Sequence, residues 1–317
     1  MNLIEAIAHL DMADSLPGLT AAVERSHDLI GRMRTRLADH GGEGTMDVVA
    51  FRSLARREYT AASDVDYLVI VNAMPDDPAA PRELMQKVKD LITEEAEAAG
   101  APKNPGTSGL FGRATGIFDI IHQVGLLDDT NHTHTVRMEI LQDSVSLLDQ
   151  TLHVGRTIRR YLALFEARQD RPPRFLLNDM LRYWRQITID YQAKAPTGGH
   201  EPKAVLRYLK LLTTRKNLFA CSVLPLIAPR DETVSWDDYL NGIYTLPPLA
   251  RLATVTQSAP DFVQEAVRTV FSTIDLIVQR TDSADKRRQF EEIAWESRRD
   301  DAGYNSPVNA GRSEGGV

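Results

Sequence analysis

The chain has a single cysteine, Cys221, which excludes an internal disulfide and any zinc cage built on several thiolates. Cys221 stands in the apolar run from Leu218 to Leu226 and reads as a core filler, not a nucleophile. Long hydrophobic runs are missing too: no stretch approaches the roughly 18 apolar residues of a membrane span. The first residues mix Glu5, His9 and Asp11 among apolar ones, so they do not read as a signal peptide, and a cytoplasmic location is expected. Basic residues are in the minority, 37 Lys and Arg against 44 Asp and Glu, for a net charge of −7. That balance argues against a broad surface for coating nucleic acid, while leaving room for a local basic cleft. The glycine-rich stretch from Pro105 to Gly116 lacks the Gly-Lys-Ser/Thr ending of a phosphate-binding loop. It reads as a plain connector or as a mobile cover beside a site. No internal repeat is present.

What remains is an ordinary globular composition, 43% hydrophobic and 26% charged over 317 residues, enough for two domains and a sizeable core. Leu3, Ile4, Ile7, Ala8 and Leu10 recur at helical spacing, as do Ala22, Val23, Leu29, Ile30, Met33 and Leu37 after the break at Asp14 to Gly18. Met46 to Phe51 and Asp64 to Val71 read as strands separated by a turn with a short helix, and Glu83 to Gly100 as an amphipathic helix. Between Thr130 and Asp149, Val136, Met138 and Ile140 alternate with Arg137, Glu139 and Leu141, predicting a further strand that puts Glu139 and Asp143 on one face. From Leu152 the pattern is helical. One helix, over 174–192, carries the stripe Leu177, Leu181, Trp184, Ile187 and Tyr191. The expected division is N-terminal helices at 1–43, an α/β core at 44–152, an all-α region at 153–290 and a disordered polar tail at 291–317.

The stretch from Phe51 to Asn72, FRSLARREYTAASDVDYLVIVN, carries the chemistry. Alternation along a strand points Asp64 and Asp66 the same way. Paired carboxylates repel unless a cation lies between them, and oxygen ligands of this kind suit Mg²⁺. A polar turn with two solvated acids is the plain alternative. His132 and His134 form an H-x-H pair with no matching third ligand, so they read as surface residues at a strand start.

Ser53, a spacer, then Ser63-Asp64-Val65-Asp66 before a hydrophobic strand resembles the signature of the DNA polymerase β-like nucleotidyltransferase superfamily, Gly-Ser followed by Asp-x-Asp. The run Ser53 to Thr60, SLARREYT, is similar to a bacterial branch related to the uridylyltransferase that modifies the PII signalling protein. The resemblance covers about residues 44 to 150, and more loosely the helices up to about 225. It departs at Arg52, which stands where the family has the glycine that lets backbone approach phosphate. The resemblance implies an α/β nucleotidyltransferase core, a mixed sheet flanked by helices, followed by an all-α helical domain. It assigns Asp64, Asp66 and a third carboxylate to two Mg²⁺ ions; Asp143 fits the third place best, with Glu139 the alternative. Ser53 and Arg52 would meet the nucleotide phosphates, and the helical cations Arg182, Lys210 and Arg215 the triphosphate, although a row of cations on a helix is also a solvated face. The implied reaction moves a nucleoside monophosphate from an NTP to a hydroxyl of a protein or RNA acceptor and releases pyrophosphate. Two other readings follow from the same resemblance. One is a degenerate nucleotide-sensing or protein-binding module, supported by Arg52 and by Val145 where arginine is expected; the other is a toxin or defence enzyme acting on tRNA or making a nucleotide signal.

Overall fold

The computed structural model describes residues 1–38, 46–72, 79–98, 112–148, 152–164, 171–193, 203–301 and 304. Four strands form one mixed sheet in the order β3-β2-β1-β4. β1 (Met46–Phe51) runs antiparallel to β2 (Asp66–Val71) and to β4 (Ser144–Ser146), while β3 (Ala114–Gly116) lies parallel to β2. β1 is buried along its whole length and β2 along almost all of it, so both sheet faces are covered, which is why these strands read as near-continuous apolar runs.

Strand alternation divides the strand residues between two cores. Met46, Val48, Ala50, Tyr67 and Val69 pack beneath the second half of α2 (Pro17–Leu37) and against α4 (Ala80–Ala98). Val49, Phe51, Leu68 and Ile70 face α5 (Ile117–Ile121), α6 (Asn131–Asp143), α7 (Leu152–Ala163) and α8 (Arg174–Ala193). This second core also takes in Leu226 of α10 (Lys216–Ile227) and Trp236, Leu240 and Tyr244 of α11 (Trp236–Tyr244), so sheet and helical region share one interior. A third core joins α1 (Leu3–His9) and the first half of α2 to α12 (Pro248–Thr256) and α13 (Asp261–Thr281). There Asp275 of α13 accepts the Leu19 amide at 2.7 Å and caps α2, whose own N-cap residue has no capping side chain. Among the described residues no helix is long and apolar enough to cross a membrane.

Three expectations need correction. Residues 131–143 form a helix, not a strand: Thr130 caps its start by accepting the Thr133 amide, and every residue from Val136 to Asp143 is buried. A helix buried on all sides carries no 3.6-residue stripe, so its apolar positions mimicked alternation. In α8 the buried face is Leu176, Asp179, Met180 and Tyr183, one position away from the expected stripe, and Leu181 is exposed. The region after 290 is in part packed. α14 (Ala284–Glu292) buries Phe290 against α9 (Ala204–Lys210), and Trp295 meets Tyr208 edge-on at 5.3 Å. Residues 305–317, and positions 105–111 of the glycine-rich stretch, lie outside the described residues.

Candidate functional site

The register of the sheet builds one end of the site. Phe51, the last residue of β1, pairs with Asp66 at the start of β2 and with Ser144 at the start of β4. Asp66 and Asp143 are thereby brought to the same sheet end, flanking the chain as it leaves β1 into the short helix α3 (Arg52–Arg56). Arg52 has φ 58 and Arg57, just past the helix, φ 65. Both are left-handed conformations that glycine adopts freely and that cost other residues about 1–2 kcal/mol. The backbone of a glycine-bounded turn is therefore present, with arginine at both ends.

Arg52 and Arg56 meet the acids. Arg52 Nη1 donates to Asp66 Oδ2 at 3.1 Å. The largely buried Arg56 donates through Nη1 to Asp143 Oδ2 at 2.7 Å and through Nε to Glu58 Oε2 at 2.8 Å. Burial still raises the Asp66 and Asp143 carboxyls above the usual range, outweighing the arginines that lower them. Glu139 lies one helical turn before Asp143 on α6, so the two share a face as i and i+4 neighbours. Its Oε1 accepts the Tyr183 hydroxyl at 3.1 Å, while its buried Oε2 has no partner. Burial, reinforced by Asp143 and Asp66 and opposed by Arg52 and the Tyr183 hydrogen bond, pushes this carboxyl up to about 7.

These groups open onto a cavity of about 650 Å³, within the range of small-molecule sites. One wall is α3 and the face of α6 carrying His132, Thr135, Glu139 and Asp143; another is α8 at Tyr183, Gln186 and Tyr191. The facing wall holds Arg207, Lys210 and Arg215. Lys210 and Arg215 bracket a π-helical turn, Leu211–Arg215, between α9 and α10; such turns are frequent at functional sites. Neither Lys210 nor Arg215 has an ion pair or hydrogen bond through its side chain among the described residues. Burial first, then the charges of Arg287, Arg56 and Arg215, push the Lys210 ammonium down to about 8.

The structure thus gathers Ser53, Arg52, Lys210, Arg215, Glu139 and Asp143 around one cavity, with Asp66 behind Arg52. Asp64 is exposed, precedes β2 and does not line the cavity, though its charge reaches Asp66 and Lys210. Arg182 lies away from the cavity and is held at 2.8 Å by Asp179. His132 lines the cavity, whereas His134 is buried, with Nε2 3.1 Å from the Asp179 carbonyl; two residues apart on a helix they diverge and form no metal pair. Cys221 is fully buried and its thiol is pushed up to about 12, as expected of a core residue. Arg56, Glu58 and Tyr183 also line the cavity, where Arg56 and Tyr183 bond its acids, and the sequence analysis does not pick them out. The doubled arginine at 56 and 57, next to Ser53, was the one available signal.

No protein-family model matches the chain, and no curated protein matches it.

The donor set does not fit a two-magnesium centre. Asp66 and Asp143 each have one carboxylate oxygen engaged by a guanidinium group, and Asp64 is exposed and stands outside the cavity. Among the described residues no three acidic, histidine or cysteine side chains are grouped to hold a metal ion.

Proposed function

We propose that this chain is a nucleotidyltransferase-type protein that binds a nucleoside triphosphate in the cavity and transfers its nucleotidyl group to a hydroxyl acceptor. The observation that carries the reading is Glu139 Oε2: a buried carboxylate oxygen without a hydrogen-bond partner among the described residues, on a group pushed up to about 7, in a cavity whose facing wall carries Lys210 and Arg215. A base poised near neutrality is what proton abstraction from a hydroxyl requires. In this scheme the acceptor oxygen attacks the α-phosphorus, and its proton passes to Glu139 Oε2. The bond between the α-phosphorus and the bridging oxygen breaks, and its electron pair leaves on pyrophosphate. Lys210 and Arg215 balance the charge of the leaving group, Arg52 and Arg56 that of the reacting phosphate, and Ser53 donates to a phosphate oxygen.

The test is incubation with each labelled NTP in turn, with tRNA and cell protein offered as acceptors, measuring pyrophosphate release and transferred label. Glu139→Gln is expected to lower turnover by at least about a hundredfold while NTP binding persists. Absence of NTP binding to the parent protein overturns the proposal.

A second reading, a nucleotide sensor without turnover, is favoured by the Arg52–Asp66 and Arg56–Asp143 pairs, which place a guanidinium on each of these acids. NTP binding with no pyrophosphate release under any acceptor condition selects it.

A further inference from the structure

We infer that the triphosphate binds here without a divalent cation, because Arg52 and Arg56 already occupy the electrostatic place between phosphate and acids. The inference rests on the reading of the cavity as a nucleotide site. Phosphates brought beside Asp66, Glu139 and Asp143 meet like charge, and a cation must stand between them. In this chain that cation is built in twice. Arg56 is clamped on both sides, by Asp143 at 2.7 Å and Glu58 at 2.8 Å, with only 14% of its side chain exposed, so it is a fixed charge at the cavity wall. Arg52 holds Asp66 at 3.1 Å, has 47% of its side chain exposed and lines the cavity, so its charge stands between that carboxylate and the cavity.

The backbone supports the same assignment. Arg52 sits at φ 58, a conformation in which any side chain beyond glycine is strained. Strain of that kind persists where the surroundings over-determine it, and it clusters at ligand clamps. The opposite wall completes the device. Lys210 and Arg215 flank the π-turn with no anion of their own among the described residues, leaving the phosphates to be gripped from both sides by protein cations alone. A divalent ion entering this site meets two guanidinium charges at the carboxylates it needs.

The experiment is equilibrium dialysis of labelled ATP and GTP, and of inorganic triphosphate, against the full chain in excess EDTA and in excess magnesium chloride. The expected result is binding in EDTA with a Kd within about twofold of that in magnesium. Arg52→Gly, which empties the guanidinium position and suits the backbone, is expected to bind about tenfold more weakly in EDTA and to regain affinity when magnesium is added. Arg52→Gln, which keeps the bulk without the charge, is expected to share the loss in EDTA, so the conclusion does not depend on one variant folding. Parent protein that binds at least about tenfold more tightly with magnesium overturns the inference while leaving the nucleotide site standing. Parent protein that binds none of these ligands under either condition overturns the site and the inference together.

Discussion

Tyr183 donates its hydroxyl to Glu139 Oε1 across 3.1 Å, fixing one oxygen of a buried carboxyl and leaving the other, Oε2, without a partner. The carboxyl is pushed up to about 7, chiefly by burial, against 4.5 for the ordinary side chain. A carboxyl raised on folding gives stability that is complete below about pH 4.5 and lost as pH rises through about 7. Glu139→Gln, which cannot ionise, is therefore expected to match the parent near pH 4.5 and to exceed it at pH 8, by on the order of 3 kcal/mol. Urea unfolding at the two pH values checks this, and an unchanged difference between them counts against a neutral Glu139. The same ionisation sets the rising limb of the parent's pH–rate profile, with its midpoint near 7.

Lys210 titrates where binding is measurable. Its ammonium, pushed down to about 8 by burial and by Arg287, Arg56 and Arg215, is partly neutral in mildly alkaline buffer. A triphosphate favours the charged form, so binding near pH 8 is expected to take up a proton and affinity to fall as pH rises further. Calorimetric titration in two buffers of different ionisation enthalpy reads that uptake directly. Lys210→Met is expected to reduce that uptake to the share contributed by Glu139 and to weaken binding about tenfold or more, as loss of a charge-assisted hydrogen bond does.

Arg57 closes α3 at φ 65, a position that glycine usually fills at a helix end. Its side chain gives little in return. Nη1 reaches the Leu54 carbonyl only at 3.4 Å, and burial, with the charge of Arg34, pushes the guanidinium down to about 10. Relief of left-handed strain outweighs the extra backbone freedom of glycine in the unfolded chain. Arg57→Gly is therefore expected to stabilise by about 0.5–1 kcal/mol. Thermal melts should show a small rise in Tm; a fall would mean that the guanidinium holds more than its contact with the Leu54 carbonyl.

The parts of this fold legible in the sequence are those where burial follows a simple period. β1 and β2 show as apolar runs because both sheet faces are covered, and α2 shows as a stripe because one face is buried in each half. α6 misleads because it is buried on every side, and α8 because its inward face includes Asp179, whose carboxylate accepts hydrogen bonds from Tyr161 and Arg182. An acid in a core stripe shifts the apparent phase, which is why Trp184 reads as interior and is in fact half-buried, stacked on Phe219. The site follows the same logic. Ser53, Arg52 and Asp66 lie close in sequence and were legible, but Arg56 bridging to Asp143 and Tyr183 reaching Glu139 join residues far apart in the chain. The π-turn beneath Lys210 and Arg215 has no sequence signature at all.

Asp47 tests how the sheet end that carries Asp143 is held. β4 has three residues and one neighbouring strand, too little ladder to fix its position. Fully buried Asp47 supplies the rest: its Oδ1 accepts the Ser146 hydroxyl at 2.8 Å and the Leu148 amide at 3.3 Å. His153 Nδ1 lies 3.2 Å from its Oδ2 without making a hydrogen bond, while His153 Nε2 meets Ser144 Oγ at 3.0 Å. Truncation leaves the Ser146 hydroxyl and the Leu148 amide without their buried acceptor. Asp47→Ala is thus expected to cost about 3–5 kcal/mol in urea unfolding, as for a buried charged network that loses its centre. Because Ser144 follows Asp143 directly, the same variant is expected to weaken triphosphate binding even where it remains folded, since Arg56 then loses a fixed partner. A variant that unfolds with parent stability would show that the three-residue strand is held by its backbone ladder alone.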